Sequence, residues 1–416
     1  MAREMKDSGI EWIGKIPDNW IVQRGKNVLA ILNRPVLEDD GVITCFRDGE
    51  VTLRSKRREE GFTFSLQEVG YQGIEPGDLV VHGMDGFAGA IGISDSRGKA
   101  TPVLNVLDSS QNKRYLMYYL RCAAHCGLFL SLSTGIRVRS CDTNWNKLKI
   151  IMYLLPPLKE QDKIVDYLDS KCKHIDAVIE QTRISIEEYK KLKQAVITQA
   201  VTKGIRHDLP MKDSGIEWIG MIPVDWSVSP IKRILSEQTE KTPTGEGEQL
   251  SVNQKKGVVK AEESDAANPS LSTVDWKIVH KNDIVFNKYK AHSGVFFVSD
   301  LDGIVTFNYS VFRCVNGNCP KYYEYQFKTD GCIGEFKKQM RGVGESISPL
   351  YTRDLFKIFV AVPPIVIQQE IADYIGKKLK DIDGLIRKKE IFISEMEMIK
   401  KSLIYEYVTG KKEVPA

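Results

Sequence analysis

Met5-Lys6-Asp7-Ser8-Gly9-Ile10-Glu11-Trp12-Ile13-Gly14 recurs without change as the stretch from Met211 to Gly220. The match runs on, with Ile16-Pro17 and Trp20 returning as Ile222-Pro223 and Trp226. A second set, Pro156-Pro157 with Gln161, Ile164, Asp166 and Tyr167, returns as Pro363-Pro364 with Gln368, Ile371, Asp373 and Tyr374. The offsets are 206 and 207 residues, and chance does not supply two such matches at nearly one spacing. The chain is a tandem duplication, so its function reads as one operation performed twice.

The bulk properties bound the answer without deciding it. A chain of 416 residues suggests two to four domains, each large enough for its own core. Hydrophobic and charged contents of 42% and 27% are those of an ordinary soluble globular protein. A formal charge of +4 permits nucleic-acid binding through local patches but does not require it. The eight cysteines form no regular framework, and Cys122/Cys126 and Cys314/Cys319 lack the spacing of zinc knuckles. Reduced, mostly buried thiols are expected. The first residues, Met1-Ala2-Arg3-Glu4, lack the apolar run of a signal peptide, and no segment is apolar for the roughly 18 residues a membrane span needs. A cytoplasmic protein is the expectation.

Each copy divides into a mixed part and a long helix. Asp78–His82 and Gly89–Ile93 read as strands with a turn at Ser94–Gly98; Asp283–Asn287, Gly294–Val298 and Ser299–Gly303 are their counterparts. Helices are expected to begin at Tyr115 and Tyr322. The spans 159–203 and 366–409 contain no proline and read as helices of roughly 60–65 Å at ~1.5 Å per residue. Their inward stripe steps by four and three: Ile175, Ile179, Thr182, Ile186, Tyr189, Lys193 and Val196 in the first copy. The second has Ile382, Ile386, Lys389, Ile393, Met396, Lys400 and Leu403. A narrow stripe of this period suits two helices lying against each other, the alternative being two separate amphipathic helices. Gly204 and Gly410 mark glycine stops. The link between copies is short, so paired helices would have to run antiparallel, with a head at each end of a rod.

The duplicated Met-Lys-Asp-Ser-Gly-Ile-Glu-Trp-Ile-Gly-x-Ile-Pro-x-x-Trp and the Pro-Pro-(x)4-Gln helix starts closely resemble the specificity (S) subunit of Type I restriction–modification systems, over essentially the whole chain. The resemblance implies an α+β fold with two globular target recognition domains separated by two long antiparallel coiled-coil helices. It is a pseudo-two-fold tandem repeat. The segments would be 1–158 (first recognition domain), 159–204 (first spacer helix), 205–365 (second recognition domain), 366–410 (second spacer helix) and 411–416 (tail). It further implies double-stranded DNA as ligand, read at a bipartite asymmetric target. Two methyltransferase (modification) subunits would be partners, with restriction (motor and nuclease) subunits joining the full complex. S-adenosylmethionine, ATP and Mg²⁺ are expected only on those partners, and no catalysis or cofactor on this chain.

The residues agree with a non-catalytic reading. The Pro-Pro pairs sit in Leu155-Pro156-Pro157-Leu158 and Val362-Pro363-Pro364-Ile365, without the polar and aromatic residues by which an amino-methyltransferase grips its target. They read as rigid turns, with proline suited to a helix's first turn. No phosphate loop ending in Gly-Lys-Ser/Thr is present. Glu188-Tyr189-Lys190 has the tail of a nuclease pattern but lies within a long helix, and the six histidines are dispersed.

Phosphate contact needs Lys or Arg on loops, and base reading needs polar side chains that reach a groove. The basic run Arg54, Lys56, Arg57 and Arg58 is one candidate, partly cancelled by Glu59 and Glu60. Thr134, Arg137 and Arg139 lie on a glycine-hinged stretch, with Arg341, Ser346 and Ser348 on its counterpart. Met84 and Phe87 in the first copy, and Lys288, Tyr289 and Lys290 in the second, occupy equivalent connections between strands. Tyr71, Gln72 and Trp276 are weaker candidates. A two-headed coiled-coil scaffold that binds proteins and not DNA is the alternative.

Overall fold

The computed structural model describes residues 3–57, 69–132, 143–206, 208–254, 256–264, 272–340 and 349–415. The chain forms two compact units, and their limits do not follow the repeat. One unit joins Met1–Thr182 to Glu390–Ala416; the other is Arg183–Lys389. Both boundaries fall inside the long helices, Leu158–Lys203 and Ile365–Val408. Each unit therefore contains one mixed domain, the start of the helix that follows it and the end of the other copy's helix.

The first unit is built on a four-stranded antiparallel sheet in the order Ala30–Ile31, Leu104–Asp108, Leu79–His82, Ile91–Ile93. Two-stranded pairs surround it: Met5–Asp7 with Lys15–Pro17, Ile21–Arg24 with Met152–Leu155, Ile43–Cys45 with Val51–Leu53, and Gln72–Ile74 with Gly98–Ala100. The second unit repeats this plan, its sheet running Leu235–Gln238, Tyr309–Cys314, Ile284–Asn287, Phe296–Val298. The strands foreseen at 78–82 and 283–287 are the third strands of these sheets. The helices expected at the two tyrosines are Lys113–His125 and Pro320–Phe327. No helix among the described residues is long and apolar enough to cross a membrane.

The repeated decapeptide folds as a hairpin whose bend is held by its own side chains. Asp7 Oδ1 accepts the Gly9 N–H at 2.9 Å and Ser8 Oγ the Ile10 N–H at 3.1 Å; Asp213 and Ser214 do the same at 2.9 and 3.1 Å. Its apolar residues enter the core. Ile13, Ile16 and Trp20 join the cluster that also contains Ile404, Tyr407 and Val408, the end of the second long helix. In the other unit Ile219, Ile222 and Trp226 share a cluster with Ile197, Ala200 and Val201 at the end of the first.

The second repeated set fixes each helix start. Pro157 and Pro364 accept the first helical bonds, from Gln161 and Gln368, so the prolines stand just ahead of the first turn instead of within it. Both glutamine side chains are fully buried. Gln161 Nε2 donates to Pro156 O at 2.8 Å, and its Oε1 accepts the Asn112 N–H at 3.0 Å; Gln368 bonds Pro363 O and the Cys319 N–H at 2.9 Å each. Asn112 and Cys319 are N-caps, so one glutamine ties a proline turn to a second helix.

Within each unit the two helix segments run antiparallel. In the first, the rings of Tyr167 and Tyr407 are 4.6 Å apart and Lys400 bonds Asp176 at 2.6 Å. In the second, Lys389 lies over Tyr189 and Lys193 bonds Asp383 at 2.7 Å. The inward lysines thus reach out of the stripe to carboxylates at repeat-equivalent positions. Such exposed pairs contribute at most about 1 kcal/mol each. Burial of Ile175, Ile179, Ile186, Ile382 and Ile386, at about 1.5–3 kcal/mol per side chain, outweighs them.

Candidate nucleic-acid interface

In the first unit the connection after the strand Leu79–His82 is organised by a neutral histidine. His82 Nδ1 accepts the N–H groups of Met84 at 3.2 Å and Asp85 at 3.1 Å. Burial lowers its pKa, as does Arg47, while Asp85 opposes them. Thr143 closes the other side, donating its N–H to Gly83 O at 2.7 Å and its hydroxyl to His82 O at 2.8 Å. Asp85, set by this loop, accepts from Arg47 at 2.8 Å. Beside it lies a cleft of about 800 Å³ whose walls include Phe46, Arg47, Arg54, Arg57, Asp85 and Leu104.

The basic run forms a short helix, Arg54–Arg57, on this cleft, and each described member has an acceptor within the unit. Arg54 Nε donates to Thr44 Oγ1 at 3.3 Å, and Lys56 Nζ to Ser96 Oγ at 2.6 Å and Asp95 at 3.2 Å. Arg57 stacks on Phe46 at 4.0 Å and bonds Asp48 at 2.6 Å and Glu50 at 2.8 Å. Burial would push Asp48 up, but Arg57 and the Glu50 N–H outweigh it and hold its carboxyl below the usual range. These ion pairs are solvent-exposed, so exchanging a carboxylate for a nucleic-acid oxygen costs little. Met84 is 54% exposed, whereas Phe87 is half-buried against the core cluster.

The equivalent connection in the second unit is capped by an amide. Asn287 Oδ1 accepts the Tyr289 N–H at 3.0 Å, and Leu350 donates its N–H to Lys288 O at 2.9 Å. Tyr289 and Lys290 are exposed; Lys288 is half-buried. Burial and neighbouring Lys277 lower the pKa of Lys288, and Glu237 opposes them. Arg58, Thr134, Arg137, Arg139, Arg341, Ser346 and Ser348 lie outside the described residues. The stretches carrying the last six rejoin the described chain at Thr143 and near Leu350, each bonded to one of these two connections.

Of the weaker candidates, Gln72 is committed to the Leu104 carbonyl at 3.3 Å. Glu188-Tyr189-Lys190 is helical, with Lys190 paired to Glu187, and no group of three His, Cys, Asp or Glu among the described residues could hold a metal ion. Arg47 joins this site although it stands apart from the basic run, while Asp85 belongs to the connection from Met84 to Phe87. The signal for Arg47 was Phe46-Arg47-Asp48-Gly49, an Asp-Gly bend between apolar runs that puts Arg47 at a hairpin tip.

Comparison with known proteins bears on both units. The profile of the Type I restriction modification DNA specificity domain matches residues 223–393. The putative type I restriction enzyme MjaX specificity subunit of Methanocaldococcus jannaschii is 25% identical over 430 residues, which cover 97% of this chain and 96% of that protein. Two solved structures share the fold at 15% identity. One, from a study of complex assembly and conformational transition of the type I R-M system, gives a TM-score of 0.72 over 95% of this chain and 99% of its own. The other, the HsdS subunit from Thermoanaerobacter tengcongensis, gives 0.53 over 98% and 100%.

Proposed function

We propose that the chain is a member of the Type I restriction–modification specificity-subunit family and that it reads a bipartite, asymmetric target on double-stranded DNA, one half-site per recognition domain. It does so as a non-catalytic subunit that docks two methyltransferase subunits and, through them, restriction subunits. S-adenosylmethionine, ATP and Mg²⁺ belong on those partners.

One contrast carries the reading. The buried framework is kept between copies, as in Trp20/Trp226, Tyr115/Tyr322 and Gln161/Gln368. The exposed connections differ: Met84 and Asp85 follow a histidine cap where Tyr289 and Lys290 follow an asparagine cap. A scaffold that binds proteins through two like heads has no need of that divergence, whereas two readers of different sequences do. Arg54, Lys56, Arg57, Arg58, Met84, Phe87, Thr134, Arg137 and Arg139 are the proposed contacts of the first domain. Lys288, Tyr289, Lys290, Arg341, Ser346 and Ser348 are those of the second.

The test is methylation mapping of DNA modified by a complex of this chain with methyltransferase subunits. The expected result is one motif with two different half-sites and an unread spacer. A continuous palindrome, or no motif, overturns the proposal. Purified chain with Mg²⁺, ATP and S-adenosylmethionine leaves DNA unchanged. Replacing Arg137 and Arg139 by alanine weakens binding, and each genuine phosphate contact lowers the salt slope by about one.

A further inference from the structure

We infer that Arg47, held by Asp85, reads the acceptor edge of a guanine in the half-site of the first recognition domain. The assignment rests on the DNA-reading function proposed above and names a residue and a base within it.

Arg47 stands at the tip of the hairpin Ile43–Cys45/Val51–Leu53, its side chain 62% exposed. One guanidinium nitrogen, Nη2, donates to Asp85 Oδ1 at 2.8 Å, and the backbone of Asp85 is itself fixed because His82 Nδ1 accepts its N–H. With one donor engaged, the guanidinium keeps donors on two adjacent nitrogens as a fork, the geometry that matches O6 and N7 of guanine. The surroundings favour a base over a phosphate. Arg47 and Arg57 are already paired, with Asp85 and with Asp48 and Glu50, so their charges are largely met within the unit. Phe46, Val103 and Leu104 give the cleft of about 800 Å³ apolar walls, the kind of surface that makes apolar contact with base edges in a groove.

The second copy supports the assignment by what it puts in the same place. The hairpin Leu250–Asn253/Gly257–Lys260 has the same register, Leu250 opposite Lys260 as Ile43 is opposite Leu53. Phe46 and Glu50 close the first tip as Asn253 and Gly257 close the second. The exposed residue at the position of Arg47 is Gln254, the side-chain type that pairs with adenine where arginine pairs with guanine. One position thus carries a different base-reading side chain in each copy.

The experiment uses the full chain assembled with methyltransferase subunits and a duplex pool randomised across the target, with the bound fraction sequenced. In R47A, the preference for guanine at one position of one half-site falls on the order of 10- to 100-fold, while the other half-site and the salt slope stay as in the wild type. R47Q shifts that position toward adenine. D85A, which leaves the arginine in place without its anchor, weakens the guanine preference less than R47A does. An unchanged motif in R47A overturns the assignment alone, as does uniform weakening across all sequences with a salt slope lower by about one, the mark of a phosphate contact. A wild-type complex with no sequence preference overturns the proposed function and this assignment together.

Discussion

Tyr115 and Tyr322 show how single side chains tie the repeat together. The Tyr115 hydroxyl lies 3.1 Å from both Leu154 O and Val408 O; that of Tyr322 lies 3.0 Å from Val201 O and 3.4 Å from Ala361 O. Each tyrosine binds its own domain and the helix end contributed by the other copy. Phenylalanine at either position leaves buried carbonyls short of a donor, at a cost of about 1–2 kcal/mol, read as a lowered urea midpoint. Shifts of under about 0.3 kcal/mol would show the hydroxyls to be incidental. His82 gives a second prediction, in pH. Its native pKa lies below the ordinary value of 6.5 because burial disfavours the charged form. Between the two values the unfolded chain binds the extra proton, so the stability contributed by the neutral cap is full above about 6.5 and is lost as pH falls through the lowered native value. Protection of the Met84 and Asp85 amides should drop in that range in the wild type and hold in H82N, which substitutes the cap that Asn287 already provides.

At the scale of elements, the two helix stops are alike in sequence and unlike in surroundings. Gly410 has φ +69°, and a Cβ there would meet Pro17 Cδ at 2.4 Å; Gly204 has φ +80°, and its Cβ would meet nothing nearer than Trp226 at 3.5 Å. G204A therefore bears only the left-handed backbone cost of about 1 kcal/mol, while G410A must also displace the hairpin proline. Thermal unfolding of the two variants should rank G410A well below G204A, and equal shifts would refute the contact. The elements themselves were legible where one physical signal dominated. The proline-free run after Pro157 placed the first long helix within a residue of its start, and the stripe from Ile175 to Val196 gave its inward face. The candidate site was less so. Arg54, Lys56 and Arg57 were visible as charge, but their partners depend on how the hairpin before them folds, which brings Asp48 and Glu50 to Arg57, and on a bend 39 residues away that brings Asp95 to Lys56. Arg47 drew no notice because its orientation depends on Asp85 and His82, 38 and 35 residues away.

For the whole molecule, the repeat boundary and the folding boundary differ. A fragment ending at Gly204 contains the first copy entire, yet the core of the first unit also needs Ile404, Tyr407 and Val408, and Tyr115 needs Val408 O. Removing three buried side chains of this size forfeits on the order of 5–9 kcal/mol of burial, comparable with the stability of a domain. The fragment 1–204, kept dilute, is therefore expected to lose the near-ultraviolet dichroism of its buried tyrosines and Trp20. A peptide of residues 390–416 added in excess should restore it, since that segment supplies the missing helix end, the Gly410 stop beside Pro17 and the Lys411 bonds to Ile13 O and Lys15 O. The same peptide carrying Val408→Asp should not, because it would place an unpaired carboxylate in a fully buried position. A dilute fragment as stable as the full chain, and indifferent to the peptide, would mean that each copy folds alone.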